Sequence, residues 1–130
     1  MSAMKFREPN EVLWRGVRPG HRGEQIAKYD SANNSTVIIH TVSAGKTFFM
    51  TTANYMSETS GAGAGGRLDV LNASGVLQYT IAVIVFTAVG QGAISMSFNP
   101  PLEIPGGYKI VVFSNSAALT ARAFIHGWEE

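Results

Sequence analysis

The chain predicts an all-β fold: an antiparallel, jelly-roll-like β-sandwich preceded by an extended N-terminal arm. Three observations carry this expectation. From Gln25 onward, β-branched and alternating runs are separated by turn signals roughly every 8–12 residues, enough for seven or eight strands. No window shows the i, i+3, i+4, i+7 stripe of an amphipathic helix. The charge is also divided unevenly. Residues 1–30 carry ten charged side chains, whereas residues 31–128 carry seven: Lys46, Glu58, Arg67, Asp69, Glu103, Lys109 and Arg122. A small solitary domain usually shows water a surface about a quarter to a third charged. So uncharged a β-body is expected to hide much of its outside against other protein.

The arm spans residues 1–24 and the sandwich residues 25–130. The leader contains Pro9, Pro19, Gly16 and Gly20, which break regular structure, yet also Phe6, Val12, Leu13, Trp14 and Val17. Pure disorder is poorer in such residues. Two readings fit: an arm ordered against a neighbouring surface, or a first strand tucked along its own domain. Lys5, Arg7, Arg15, Arg18 and Arg22 surround Trp14, but Glu8, Glu11 and Glu24 among them repel phosphate, and no nucleic-acid-reading motif is present. An arm lying on protein is therefore preferred to one lying on nucleic acid. The contact residues expected on it are Phe6, Arg7, Trp14, Arg15, Arg18 and Arg22, with Trp14 as the anchor because buried Trp and Arg dominate interface energetics.

Within the body, Thr36–Val42 is a β-branched strand ending at the turn signal Ser43-Ala44-Gly45. Lys46–Met56 follows, with Phe48 and Met50 on one face and Thr47, Phe49 and Thr51 on the other. The Gly/Ala/Ser tract Ser57–Gly66 reads as an exposed loop. Leu68–Leu71 alternates across a short strand, and Asn72-Ala73-Ser74-Gly75 turns the chain. Val76–Phe86 is apolar at positions of both parities, as in a strand buried on both sides. Gly90-Gln91-Gly92 precedes Ala93–Phe98, and Leu102–Ile104 is a short extended piece bracketed by prolines. Tyr108–Phe113 and Leu119–Trp128 complete the set.

Composition and spacing exclude several chemistries. The chain has no cysteine, hence no disulfide, thiolate metal site or cysteine nucleophile. Its formal charge of +1 gives no general attraction to nucleic acid. The longest apolar run, Ile81–Phe86, is far too short to span a bilayer as a helix. The N-terminus lacks the apolar segment of a Sec signal. Ser43–Thr47 imitates the end of a phosphate loop, but His40 stands where that motif needs its first glycine and a strand follows instead of a helix. Gly61–Gly66 matches the dinucleotide fingerprint literally, but between two strands rather than inside a βαβ unit. His21, His40 and His126 show no ligand-pair spacing, no carboxylate pair is positioned for glycoside hydrolysis, and G-x-S-x-G is absent. The acceptor-like strings Asn33-Asn34-Ser35 and Asn72-Ala73-Ser74 read as turns. A non-enzymatic protein with no cofactor and no metal is expected.

Three segments resemble a known family: Thr41–Thr51 (TVSAGKTFFMT), Phe98–Ile110 (FNPPLEIPGGYKI) and the terminal His126-Gly127-Trp128-Glu129-Glu130. Together they are similar to small β-sandwich virion proteins of tailed bacteriophages, in which a V-P-A-G-K-T strand start and a P-P-L-x-hydrophobic-P-x-G-Y turn precede a C-terminal G-aromatic-E-E. Ser43 stands where the first motif has proline. The resemblance covers roughly Val37 to Glu130 and implies a structural protein made in the host cytoplasm and built into the virion. Two roles follow from it. The first is a capsid decoration (cement) protein clamping neighbouring major capsid subunits; the second is a tail, baseplate or fibre component, attaching to host or carbohydrate. The leader and the low-charge body favour the first. The implied partners are the major capsid protein or other virion proteins and further copies of the chain as a trimer or dimer, with no nucleic acid and no membrane.

Overall fold

The computed structural model describes residues 23–130, and these form a sandwich of two four-stranded antiparallel sheets. The strands are β1 (Glu24–Asn33), β2 (Thr36–Thr41), β3 (Thr47–Thr59), β4 (Ala64–Leu71), β5 (Leu77–Phe86), β6 (Gly90–Pro105), β7 (Lys109–Ser114) and β8 (Leu119–Glu129). One sheet runs β1-β8-β3-β6 and the other β2-β7-β4-β5. First pairs with last, second with seventh, third with sixth and fourth with fifth. This is one long hairpin rolled up on itself. The additional pairs β3–β8 and β4–β7 join the roll into two sheets. The result is the jelly roll that the strand count and turn spacing predict.

The core lies between the sheets and is densest at the middle strands. Phe48, Met50, Ala53 and Tyr55 of β3 meet Leu68 and Val70 of β4, Ile110 and Val112 of β7, and Leu119, Ala121 and Ile125 of β8; all are fully buried. Each large apolar side chain so buried contributes about 1.5–3 kcal/mol. The alternation on β3 is not uniform. A bulge between Met50 and Thr52 moves the inward row from Phe48 and Met50 to Ala53, Tyr55, Ser57 and Thr59. Thr51, the extra residue, donates its hydroxyl to the His126 carbonyl at 3.0 Å, which gives the displaced residue a polar partner.

Three expectations need correction. The tract Ser57–Gly66 is not an exposed loop: β3 continues to Thr59, β4 begins at Ala64, and Ala64, Gly65 and Gly66 are buried. Glycine is required there by close approach. A Cβ at Gly66 would lie 3.0 Å from the Phe113 carbonyl and 3.2 Å from the Ala121 methyl, and would strike the Tyr55 hydroxyl. Secondly, Val76–Phe86 is not buried on both sides. β5 is a margin of its sheet and most of its residues are exposed or half-buried. Finally, Leu102–Ile104 is no separate piece. It belongs to β6, which runs through Asn99, Pro100 and Pro101, with the Asn99–Pro100 peptide cis.

The two sheets are also tied by a polar contact. His40 of β2 and Glu129 of β8 are both buried, and His40 Nε2–H donates to Glu129 Oε2. The His40 ring sits edge-on to Phe48, with centroids 5.3 Å apart. Burial alone would push the Glu129 carboxyl up, but hydrogen bonds from Ser43 and then from His40 outweigh it and hold its pKa below the ordinary value. The unfolded chain therefore takes up this proton first as pH falls. The stabilisation is complete above the ordinary glutamate value of 4.5 and is lost as pH drops through the lower folded value.

Two predictions follow from these contacts. Gly66→Ala should cost about 1–3 kcal/mol in urea unfolding through overpacking. Gly61→Ala, whose new methyl meets only the Ala118 Cβ at an ordinary 3.6 Å, should cost less than about 0.5 kcal/mol. Equal costs would show that the close approach at Gly66 is not what selects glycine. His40→Ala should cost about 3 kcal/mol near neutrality by stranding a buried carboxylate, and Glu129→Gln should flatten the acid limb of the stability–pH curve. An unchanged acid limb in that variant would remove Glu129 from the account.

Candidate interaction surface

The leader residues singled out from sequence, Phe6, Arg7, Trp14, Arg15, Arg18 and Arg22, lie outside the described residues, as does His21. The structure does describe where the leader joins the body. Gly23 is pressed against the last turn of the roll: a Cβ there would come within 2.7 Å of both the Glu129 carbonyl and the Trp128 ring. Trp128 in turn stacks on Phe49, with centroids 5.1 Å apart and planes 15° apart. The leader thus leaves the sandwich beside an aromatic pair at the end where β1 and β8 begin and finish.

On the body, chemistry is concentrated on one flank. Between Asp69 and Glu103 the chain carries no charged residue and no histidine. That run supplies all of β5 and most of β6, the margins of the two sheets on the same side of the sandwich. The inward row of β6, Ile94, Met96 and Phe98, remains half-exposed, as do Ile81, Ile84 and Phe86 of β5; by contrast Phe48, Met50 and Tyr55 on β3 are fully buried. The core therefore thins toward this side instead of being closed over. Outside it stand Val83 at 50 %, Val85 at 70 % and Val89 at 72 % exposure. Surface valines scattered singly need no explanation, but a continuous uncharged flank departs from the charged surface usual for a small domain.

A polar knot borders the flank on the outer face of the β5 sheet. Asp69, buried despite its charge, accepts from Arg67 Nε at 3.0 Å and from the Thr80 hydroxyl at 2.8 Å. The Arg67 guanidinium lies 4.6 Å from the centre of the Phe113 ring. Arg67 is thereby held in one place beside Val83, its cross-strand neighbour. An arginine oriented by a carboxylate and an aromatic face loses little freedom on binding, which suits it to an interface.

The outer face of the other sheet is also nearly neutral. Its row across β1, β8 and β3 sets Tyr29 beside Phe124 and Phe124 beside Asn54, and an ion pair joins Arg122 Nη1 to Glu58 Oε1 at 2.7 Å. The Glu58 hydrogen bond raises the Arg122 pKa further. Met56, Glu58, Gln91, Ala93 and Arg122 line a shallow depression of about 280 Å³ at the end of this face. It is open, and it holds no pair of titratable groups arranged for proton transfer.

The enzyme-like motifs resolve into structure. Ser43–Lys46 is a turn closed by the Lys46 amide on the Ser43 carbonyl, with Gly45 at a φ of 78°. Gly61–Gly66 spans a turn and the first residues of β4, with no helix after it. Asn34, at a φ of 50°, and Asn72, whose side chain accepts from the Ser74 and Val76 amides, both occupy turns. Among the described residues no three His, Cys, Asp or Glu side chains are grouped to hold a metal. Sequence reading missed the His40–Glu129 pair, whose members are 89 residues apart, and it read an uncharged body without placing the bare surface on β5 and β6. The signal for the flank was present all along in the uninterrupted absence of charge from Val70 to Leu102.

No family model matches the chain, and no curated protein matches it in sequence. Solved structures with a related arrangement include a pentameric capsid protein isolated from metagenomic phage sequences. It is 18 % identical over 80 % of this chain, with a TM-score of 0.47, and this chain spans 59 % of its length. Another is a Bacillus endospore appendage protein that forms disulfide-linked pili, 12 % identical over 82 % of this chain and 84 % of its own, with a TM-score of 0.40.

Proposed function

We propose that this chain is a non-enzymatic structural protein of a phage particle, and that it acts as a decoration protein clamping neighbouring capsid subunits. The observation that carries the reading is the charge-free flank formed by β5 and the first half of β6. A free-standing binding module or enzyme gains nothing from leaving two long margins and the thin side of its core uncharged, whereas a part built to be covered does. The leader complements this surface. Residues 1–22 carry five basic and two acidic side chains, and residues 23–130 carry five basic and seven acidic, so the leader is net +3 and the body net −2. A basic, aromatic arm reaching over an adjoining subunit and a neutral flank lying against another give two different attachments, which is what clamping requires. The motifs that resemble those of phage β-sandwich proteins support the virion structural role, for head and tail components alike.

Removing residues 1–22 should abolish attachment to particles while far-UV circular dichroism of the sandwich stays unchanged. Attachment by the shortened protein would refute the arm. Trp14→Ala should cost roughly 2 kcal/mol or more, about a thirtyfold loss in affinity, and a cost below about 1 kcal/mol would demote the anchor. Labelled protein found at tails and absent from heads would move the assignment to a tail or fibre component.

A further inference from the structure

We propose that β5 is the edge through which two copies of this chain join, antiparallel, about a two-fold axis at Ile84. The proposal deepens the reading of the flank as a contact surface but does not need the virion assignment, since such a pair would form in isolation.

A sheet margin presents unpaired N–H and C=O groups, and soluble proteins guard theirs with charge, proline, brevity or a cover. Two of the four margins are guarded, and a third, β6, is guarded over its second half. β1 carries Glu24, Lys28 and Asp30; β6 carries Pro100, Pro101 and Pro105, which lack an N–H, together with Glu103. β2 is only six residues long, is interrupted by a bulge between Ile38 and His40, and has β1 packed against it. β5 has none of these devices. Its ten residues are uncharged, and among the described residues it pairs with β4 alone.

The occupant must supply a strand, because the free groups are those of a ladder, and the strand must be apolar on both faces. Among the margins of the described residues only β5 meets that description, so a second β5 is its match. The register follows from the bulges. Ile81 and Gln78 are extra residues opposite β4, whereas Ala82–Phe86 runs regularly against Leu68–Ala64. Within this regular stretch Val83 and Val85 face outward, paired with Arg67 and Gly65, while Ala82, Ile84 and Phe86 face the core side. A two-fold axis at Ile84 sets Val83 of one copy opposite Val85 of the other, twice, and Ala82 opposite Phe86. The most exposed large apolar side chains of the strand then cover one another, and no like charges meet, the usual obstacle to self-pairing. Because the same patch serves both copies, the contact closes on itself and stops at two.

The test is the light-scattering mass of the full chain and two variants. The unmodified protein should give twice 13.9 kDa. Val83→Lys/Val85→Lys sets lysines against each other across the axis and should halve the mass. Val83→Lys/Val85→Glu replaces the same two valines but sets Lys against Glu, and should restore the double mass. A single-chain mass for the unmodified protein overturns the proposal. So does a larger ring or filament, in which β5 meets a different surface. A double-lysine variant that still dimerises, or a swap variant as monomeric as the double lysine, overturns it too. None of these measurements involves particles, so a failure here and a failure of the decoration role are told apart.

Discussion

Every backbone group that this fold buries must find its partner across a ladder, and rolling one long hairpin into two sheets satisfies that demand everywhere except at four margins. Much of what distinguishes the chain is a response to those margins. The middle strands β3, β8, β4 and β7 have partners on both sides and carry most of the fully buried side chains. The outer strands divide the remaining work. β1 and β2 are screened by charge, by length and by each other, while β5 and the first half of β6 are left bare. The molecule is thus asymmetric from side to side, with one flank closed and one open.

Charge follows the same division. Three of the body's carboxylates are taken up inside the chain: Glu129 by His40, Asp69 by Arg67 and Thr80, and Glu58 by Arg122. The first is buried, the second rests on a buried carboxylate, and both hold strands in place. Glu129 links the two sheets at the end where the leader departs, and Asp69 links β4 to β5 beside the bulge that frees Ile81. Few charges remain on the body, and those that do sit away from the open flank.

How far these features could be read beforehand depended on their range. The sandwich, the strands at Thr36, Lys46, Tyr108 and Leu119, and the turns at Ser43 and Asn72 were legible because period-two alternation and turn chemistry are local. The tract Ser57–Gly66 misled for a physical reason. Glycine marks both a flexible loop and a place where two backbones nearly touch, and only the neighbours Phe113, Tyr55 and Ala121 tell them apart. Val76–Phe86 misled similarly, since a strand apolar on both faces is either central or waiting for a partner. The Met50–Thr52 bulge shifted the inward row of β3 without any mark in composition. The His40–Glu129 contact joins opposite ends of the roll, and no spacing rule reaches so far.

The pairing of the first strand with the last has a mechanical consequence. Gly23 and Glu130 emerge at the same end of the β1–β8 ladder. A pull on the leader against the bulk of the sandwich, directed along β1, loads the whole row of cross-strand bonds at once in shear. A pull between the two chain ends peels the same row open one rung at a time. Anchored by its leader, the protein resists tension as a lap joint does; tethered by both ends, it would unzip.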